Sequence, residues 1–274
     1  MKKVLITDLD DTLYSWIEFF IPAFYAMVHE LTKITGLEEA ILLKEYKDVH
    51  QSKHNVEHPF STLLLPSIKN MYPNMSDIEL RNGPLKEAFH MFNRERKQRL
   101  KLYPGADEML ASLTRAGVKV IGFTDSFEEN GYYRLVRLGV DNYFTKVYVY
   151  DRQFNTGNTY NTPHKVIHIN KKKPDQDVLL KICKDEQIDI NDAIYMGDSM
   201  TKDIYMSYCA GIDSIWIDKD KDDDLYNKLI AISHWTGADF RTEQEIKNKI
   251  EELHVKPTYT ISDLSKVTGI ILNN

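Results

Sequence analysis

The chain has 274 residues, 42% of them hydrophobic, and a formal net charge of −6. That is enough apolar material for one large core, or for a core and a smaller partner domain, and it excludes a disordered or fibrous chain. The acidic balance offers no basic footprint for nucleic acid, so an anionic ligand would need a local basic pocket.

Met1-Lys2-Lys3 has the charge of a signal-peptide start, but Asp8 interrupts the apolar run well short of an h-region. No later segment is suited to crossing a bilayer, and the expectation is a cytoplasmic protein with no membrane partner. Val4-Leu5-Ile6-Thr7 predicts a buried strand, followed directly by Asp8-Leu9-Asp10-Asp11-Thr12. Residues i and i+2 of an extended segment point the same way, so Asp8 and Asp10 are expected to face one site while Leu9 turns into the packing. Two carboxylates together invite a divalent cation, which removes their repulsion. Taken alone, the same residues also fit an acidic turn.

Residues 14–100 read as helical throughout. The predicted helices cover Ser15 to Thr35, with an interruption at Pro22, then Leu37 to Lys53, Ser61 to Met71 and Ser76 to Leu100. They form a small all-helical domain, with its boundary near Lys101-Leu102-Tyr103-Pro104-Gly105. His50, His54 and His58 recur at four-residue spacing, which can align them on one helix face as ligands or as contacts for an anionic substrate. Asn55, Glu57 and Pro59 mark an ending helix there, and a solvated helix end is the plainer reading.

Beyond residue 100, strands alternate with helices. Val118 to Phe123, Thr145 to Tyr150, Ala193 to Met196 and Ser214 to Ile217 are the predicted strands. Asp107 to Ala116 is an amphipathic helix stopped by Gly117, and Asp175 to Asp185 follows Pro174, which suits a first helical position. The fold class is therefore α/β, a Rossmann-like parallel sheet with helices on both faces, formed by residues 1–13 and 101–274. Cys183 and Cys209 show no metal-ligand or redox spacing and are expected as reduced thiols. Asp218, Asp220, Asp222, Asp223 and Asp224 fail as a calcium loop, because Asp223 stands where Gly is required and Leu229 where Glu is.

Three later segments bear on the opening acids. Thr124-Asp125-Ser126 ends one predicted strand and offers a hydroxyl and backbone N–H groups at a carboxyl edge, where such sheets bind ligands. Lys171-Lys172-Lys173-Pro174 precedes a helix, so one ammonium and the helix start can neutralise a phosphate together. Gly197-Asp198-Ser199-Met200-Thr201-Lys202-Asp203 follows another strand and adds two more carboxylates.

In this order and at these strand ends, the segments resemble the four motifs of the haloacid dehalogenase (HAD) superfamily: Asp-x-Asp-x-Thr, a Ser or Thr, a Lys and an acidic pair. Asp8 to Thr12 matches the first motif, Thr124 the second, Lys173 the third, and Asp198 with Asp203 the fourth. Residues 14–100 resemble the helical cap that many members carry, and Lys256 to Leu264 the family's closing strand and helix. The resemblance implies a Mg²⁺-dependent phosphohydrolase acting on a small phosphorylated metabolite. Asp8 would be the nucleophile, Asp10 the acid and base, and Thr124, the Asp125 N–H and Lys173 the phosphate cradle. Asp8, the Asp10 backbone carbonyl and Asp198 would hold Mg²⁺, with Asp203 reaching it through water or holding Lys173. Among the three lysines, the family's Lys-Pro pairing selects Lys173. Tyr14, Trp16 and the segment His54 to Ser61 are the expected substrate contacts. The competing readings are a phosphomutase of the same superfamily, a phospho-accepting signalling domain and a catalytically silent binding module.

Overall fold

The computed structural model describes residues 1–58, 60–151, 164–220 and 222–273. Seven strands occur among them: β1 (Val4–Thr7), β2 (Lys119–Phe127), β3 (Phe144–Tyr150), β4 (Val166–Ile169), β5 (Ala193–Gly197), β6 (Asp213–Ile217) and β7 (Tyr259–Ile261). They form one parallel sheet in the order β4-β3-β2-β1-β5-β6-β7. From β1 the chain builds outward first through β2, β3 and β4, then on the other side through β5, β6 and β7. The crevice at the carboxyl ends of β1 and β5 is thus the topological switch point, where open α/β sheets bind ligands.

Every residue of β1 and β5 is buried, as a parallel sheet covered on both faces requires. Val4, Ile6, Ile121, Phe123 and Tyr195 pack on one face against Val178, Leu179 and Ile182 of α8 (Gln176–Asp185) and against Met206 and Ala210 of α9 (Tyr205–Ala210). The opposite face carries α6 (Ala106–Arg115), α7 (Gly131–Leu138) and α12 (Ser265–Leu272). Several details differ from the sequence reading: β2 runs on to Phe127, past its predicted end at Phe123, and the helix expected over Ser76 to Leu100 is two, Asp77–Asn82 and Lys86–Arg99. The edge strand β4 was not expected, because four residues alternating on an edge carry little periodic signal. Pro174 lies outside α8: Asp175 is the N-cap, its carboxylate accepting the Asp177 N–H at 2.9 Å, and a capping Asp sets the start one residue later.

The chain divides into two compact units, one of residues 1–15, 101–220 and 243–274, the other of residues 16–100 and 221–242. The second is helical, built from α1 (Trp16–Thr35), α2 (Glu39–Lys53), α3 (Pro66–Met71), α4 (Asp77–Asn82), α5 (Lys86–Arg99) and α10 (Asp223–Ile232), with the start of α11 (Gly237–Glu252). Pro22 sits inside α1 without ending it. The apolar side chains on both flanks, from Phe19 to Leu31, are buried and offset the lost hydrogen bond.

Residues 221–242 join the helical unit, where the sequence reading had put them with the sheet. Leu229 and Ile232 of α10 are buried there, and polar contacts add to this: the Tyr25 hydroxyl, the Lys47 ammonium and the Gln51 amide donate to the carbonyls of Lys228, Ile230 and Trp235. His50 completes this set, fully buried, with Nδ1 2.7 Å from the Ile232 carbonyl and Nε2 3.3 Å from Ser61 Oγ. Burial lowers its pKa to about 4. The acidic turn at Asp222 is an N-cap, accepting the Leu225 N–H at 3.0 Å. No described helix is long and apolar enough to cross a membrane.

Candidate active site

Asp8 follows β1 directly, and its N–H extends the ladder by donating to the Met196 carbonyl at 2.8 Å. Leu9 is fully buried, and Asp11 takes a left-handed φ of 56°, which winds the chain back on itself. That turn sets the Thr12 hydroxyl 3.3 Å from Asp8 Oδ2. Asp8 itself is buried.

Lys173 enters from the loop between β4 and α8. Its backbone N–H donates to Asp125 Oδ1 at 3.0 Å, tying that loop to the end region of β2. Its ammonium lies 2.5 Å from Asp8 Oδ1 and 2.8 Å from Asp203 Oδ1, with the rings of Phe123 and Tyr195 alongside. Burial opposes the lysine charge, but Asp203 and Asp8 outweigh it and hold the pKa well above the ordinary lysine range. Burial likewise raises the Asp8 pKa; Lys173 opposes the rise, while Asp203, Asp198 and Asp10 add to it.

Asp203 lies in a π-helical turn, Met200–Ile204, a local widening often found at functional sites. Its Oδ1 also accepts the Tyr195 hydroxyl at 2.8 Å, and its Oδ2 accepts the Ser199 N–H at 3.0 Å. Gly197 makes this possible, since a Cβ there would occupy the space of the Asp203 carboxylate. Asp198 is half-buried, and its carbonyl accepts the Trp216 indole N–H at 2.9 Å. Asp8, Asp198 and Asp203 can each offer an oxygen within 4.8 Å of the others. These are the hard oxygen donors that suit a small divalent cation.

Asp10 has partners of its own. Its Oδ1 accepts from Arg134 Nη1 at 2.7 Å, and its Oδ2 accepts from Ser126 Oγ at 2.7 Å and Thr124 Oγ1 at 3.3 Å. The two acids of the first motif therefore stand side by side with separate hydrogen-bond sets, a finer arrangement than the shared face expected from their spacing. Thr124 also accepts the Ser126 N–H at 3.0 Å. Tyr14 is fully buried. Burial first, then the Asp10 charge, raises its phenol pKa, while Arg134 opposes the rise. Tyr14, expected as a substrate contact, thus lies with the Asp10 and Arg134 group.

The other expected contacts belong to the helical unit. Trp16 stacks on Phe20 with centroids 4.7 Å apart, Ser61 is buried against His50, and Pro59 lies outside the described residues. The three histidines do not form a ligand set, because His50 is turned inward and exposed His54 is the left-handed cap of α2. Sequence reasoning missed Arg134, Ser126 and Tyr195. Ser126 was findable, standing at i+2 from Thr124 on an extended segment, and a tyrosine inside an apolar strand signals a buried hydroxyl seeking a partner. Arg134 carried no local signal.

The structure is thus a doubly wound α/β protein with a charged cluster at the switch point, where sheets of this class bind ligands. The chain belongs to the haloacid dehalogenase-like hydrolase family, whose family model matches residues 5–217. It is 23% identical over 225 residues to a glyceraldehyde 3-phosphate phosphatase of Pyrococcus abyssi, covering 79% of this chain and 81% of that protein. The same description and identity hold for a relative from Methanopyrus kandleri, over 82% of this chain and 88% of the other. Among solved structures, the 2-haloacid dehalogenase of Pseudomonas syringae shares the fold at a TM-score of 0.57 and 18% identity, over 100% and 99% of the two chains.

Proposed function

We propose that the protein is a Mg²⁺-dependent phosphatase of small phosphorylated metabolites, working through an aspartyl-phosphate on Asp8. The observation that carries this reading is Lys173, buried and bridging Asp8 to Asp203 beside Asp198. One ammonium among three carboxylates leaves a site that favours a divalent cation, and their oxygens fit Mg²⁺. Asp8 and Asp198 would hold the ion, helped by the Asp10 backbone carbonyl. Asp203, with Lys173 and Tyr195 on one oxygen and Ser199 on the other, serves mainly to hold Lys173. When bound, Mg²⁺ supplies charge to offset the phosphate and the attacking carboxylate.

The remaining work belongs to the chain. Asp8 attacks phosphorus in line, and the bond to the leaving oxygen breaks as Asp10 gives that oxygen a proton. Water then displaces Asp8 from the aspartyl-phosphate, and Asp10 takes the proton that water loses. Lys173, the Thr124 hydroxyl and the Asp125 N–H hold the other phosphoryl oxygens, where charge concentrates in the transition state. Asp10 favours phosphoryl transfer over attack on carbon, since cleavage of a carbon–halogen bond has no leaving oxygen to protonate. The relatives named as glyceraldehyde 3-phosphate phosphatases support a small phosphorylated substrate, and the helical unit is proposed as the cap that selects it.

The test is phosphate release from a panel of sugar and triose phosphates, glyceraldehyde 3-phosphate included, with and without Mg²⁺, beside Asp8→Asn. Mg²⁺-dependent release by the wild type and none by the variant is expected. A fully active Asp8→Asn protein overturns the mechanism, and isomerisation of a sugar phosphate without release points to a phosphomutase.

A further inference from the structure

Arg134 sits on α7, 4% exposed, and no motif of the sequence accounts for it. Its guanidinium lies 2.7 Å from Asp10 Oδ1 and 3.4 Å from Ser126 Oγ. Ser126 in turn donates to Asp10 Oδ2 at 2.7 Å, and Thr124 Oγ1 stands 3.3 Å from the same oxygen. Burying a guanidinium with a carboxylate is a weak route to stability, because apolar residues of similar volume do as well. What the pair achieves is orientation, since it fixes both side-chain torsions of Asp10.

The two oxygens of Asp10 are held by chemically different groups. Arg134 can only donate and stays protonated, so Oδ1 must remain an acceptor. The hydroxyls on Oδ2 can donate or, by turning, accept. A proton on the Asp10 carboxyl is therefore compatible with Oδ2 alone. We propose that Arg134 is a positioning residue for the phosphoryl transfer: it holds Asp10 by Oδ1 so that Oδ2, beside Ser126 and Thr124, is the oxygen that delivers and retrieves the proton. In the first step the bond from Asp8 oxygen to phosphorus forms and the bond to the leaving oxygen breaks. That oxygen keeps the electron pair and takes the Oδ2 proton, leaving the Asp10 carboxylate paired with Arg134. The inference rests on the phosphatase reading given above.

The test compares kcat/KM for two esters of similar shape with Mg²⁺ present: phenyl phosphate, whose leaving group is strongly basic and needs a proton, and p-nitrophenyl phosphate, whose leaving group does not. General acid catalysis contributes about 10²–10⁴-fold, so Asp10→Asn should lower the ratio of phenyl to p-nitrophenyl turnover by at least ~10-fold. Arg134→Met should lower the same ratio about 10-fold, the double variant should lower it no further than Asp10→Asn alone, and Arg134→Lys should restore most of it. Ser126→Ala, a smaller change at the other oxygen, should move the ratio in the same direction and serves if Arg134→Met does not fold. An equal loss on both esters in Arg134→Met and Ser126→Ala, with the ratio kept, overturns the inference. A wild-type protein inactive on both esters overturns the phosphatase reading itself.

Discussion

Gly197→Ala tests the construction of the lysine-bridged cluster from one methyl group. A Cβ at residue 197 would lie 2.5 Å from Asp203 Oδ2 and 2.6 Å from Asp203 Cβ, against an ordinary contact of 3.4–4 Å. Asp203 must therefore retreat by roughly 1 Å. It cannot do so and keep its three bonds, to Lys173 at 2.8 Å, the Tyr195 hydroxyl at 2.8 Å and the Ser199 N–H at 3.0 Å. Overpacking costs about 1–3 kcal/mol, and a weakened hydrogen bond to a charged group a further ~1.5–3 kcal/mol. A destabilisation of about 3–5 kcal/mol is expected, read by urea unfolding, with a fall in turnover on the order of 10²-fold as Lys173 loses its support. Combined with Asp203→Gly, which removes the obstructing Cβ and carboxylate together, the Gly197 substitution should cost under about 1 kcal/mol more. If Gly197→Ala keeps wild-type stability and turnover, or costs as much in the Asp203→Gly background, the reasoning is wrong.

Lys173→Ala should reduce phosphate release by at least ~10²-fold, while Lys171→Ala and Lys172→Ala stay within about 3-fold of wild type. The reason is placement: Lys171 pairs with Asp175 and Asp177 at the surface, and Lys172 lies 4.6 Å from the centroid of the Tyr150 ring. Loss of turnover in Lys172→Ala with Lys173→Ala intact would reverse the assignment. Gly131→Ala would set a Cβ 2.9 Å from Thr124 Cγ2, so it should raise KM several-fold by displacing the Thr124 hydroxyl; an unchanged KM would remove Thr124 from substrate binding. His50 should titrate near 4 by NMR. Its folded pKa lies below the unfolded 6.5, so the unfolded chain binds more protons between those values. The resulting stability is whole above about 6.5 and is lost as pH falls toward about 4, amounting to about 3 kcal/mol, and His50→Phe should abolish that slope. An imidazole titrating above 6 would refute it.

The parallel sheet was legible because β1, β2, β3, β5 and β6 write themselves as short apolar runs with turn residues between them, the pattern that burial on both faces demands. Residues 221–242 were not legible as part of the helical unit, because part of what holds them there, beside the buried Leu229 and Ile232, is a row of backbone carbonyls accepting from Tyr25, Lys47, His50 and Gln51. Main-chain acceptors have no spelling in the sequence. Pro22 misled for a related reason: its penalty is local, whereas the burial that outweighs it comes from tertiary packing.

The same distinction runs through the site. Asp8, Lys173, Asp198 and Asp203 could be placed because each sits next to a strand end or a helix start, where one residue's position fixes its exposure to the switch point; Thr124 was placed by a predicted strand end at Phe123, although β2 runs on to Phe127. Arg134, Ser126 and Tyr195 act one step further out, on the readable residues, and their positions follow from packing between elements. Tyr195 and Lys173 share one oxygen of Asp203, and Arg134 and Ser126 divide the two oxygens of Asp10. A carboxylate has two oxygens, and here the supporting groups decide which of them is spoken for. The first motif supplies two aspartates of identical chemistry, and their neighbours differ, an ammonium for Asp8 and a guanidinium with two hydroxyls for Asp10, which is the basis on which the proposed mechanism gives them different work.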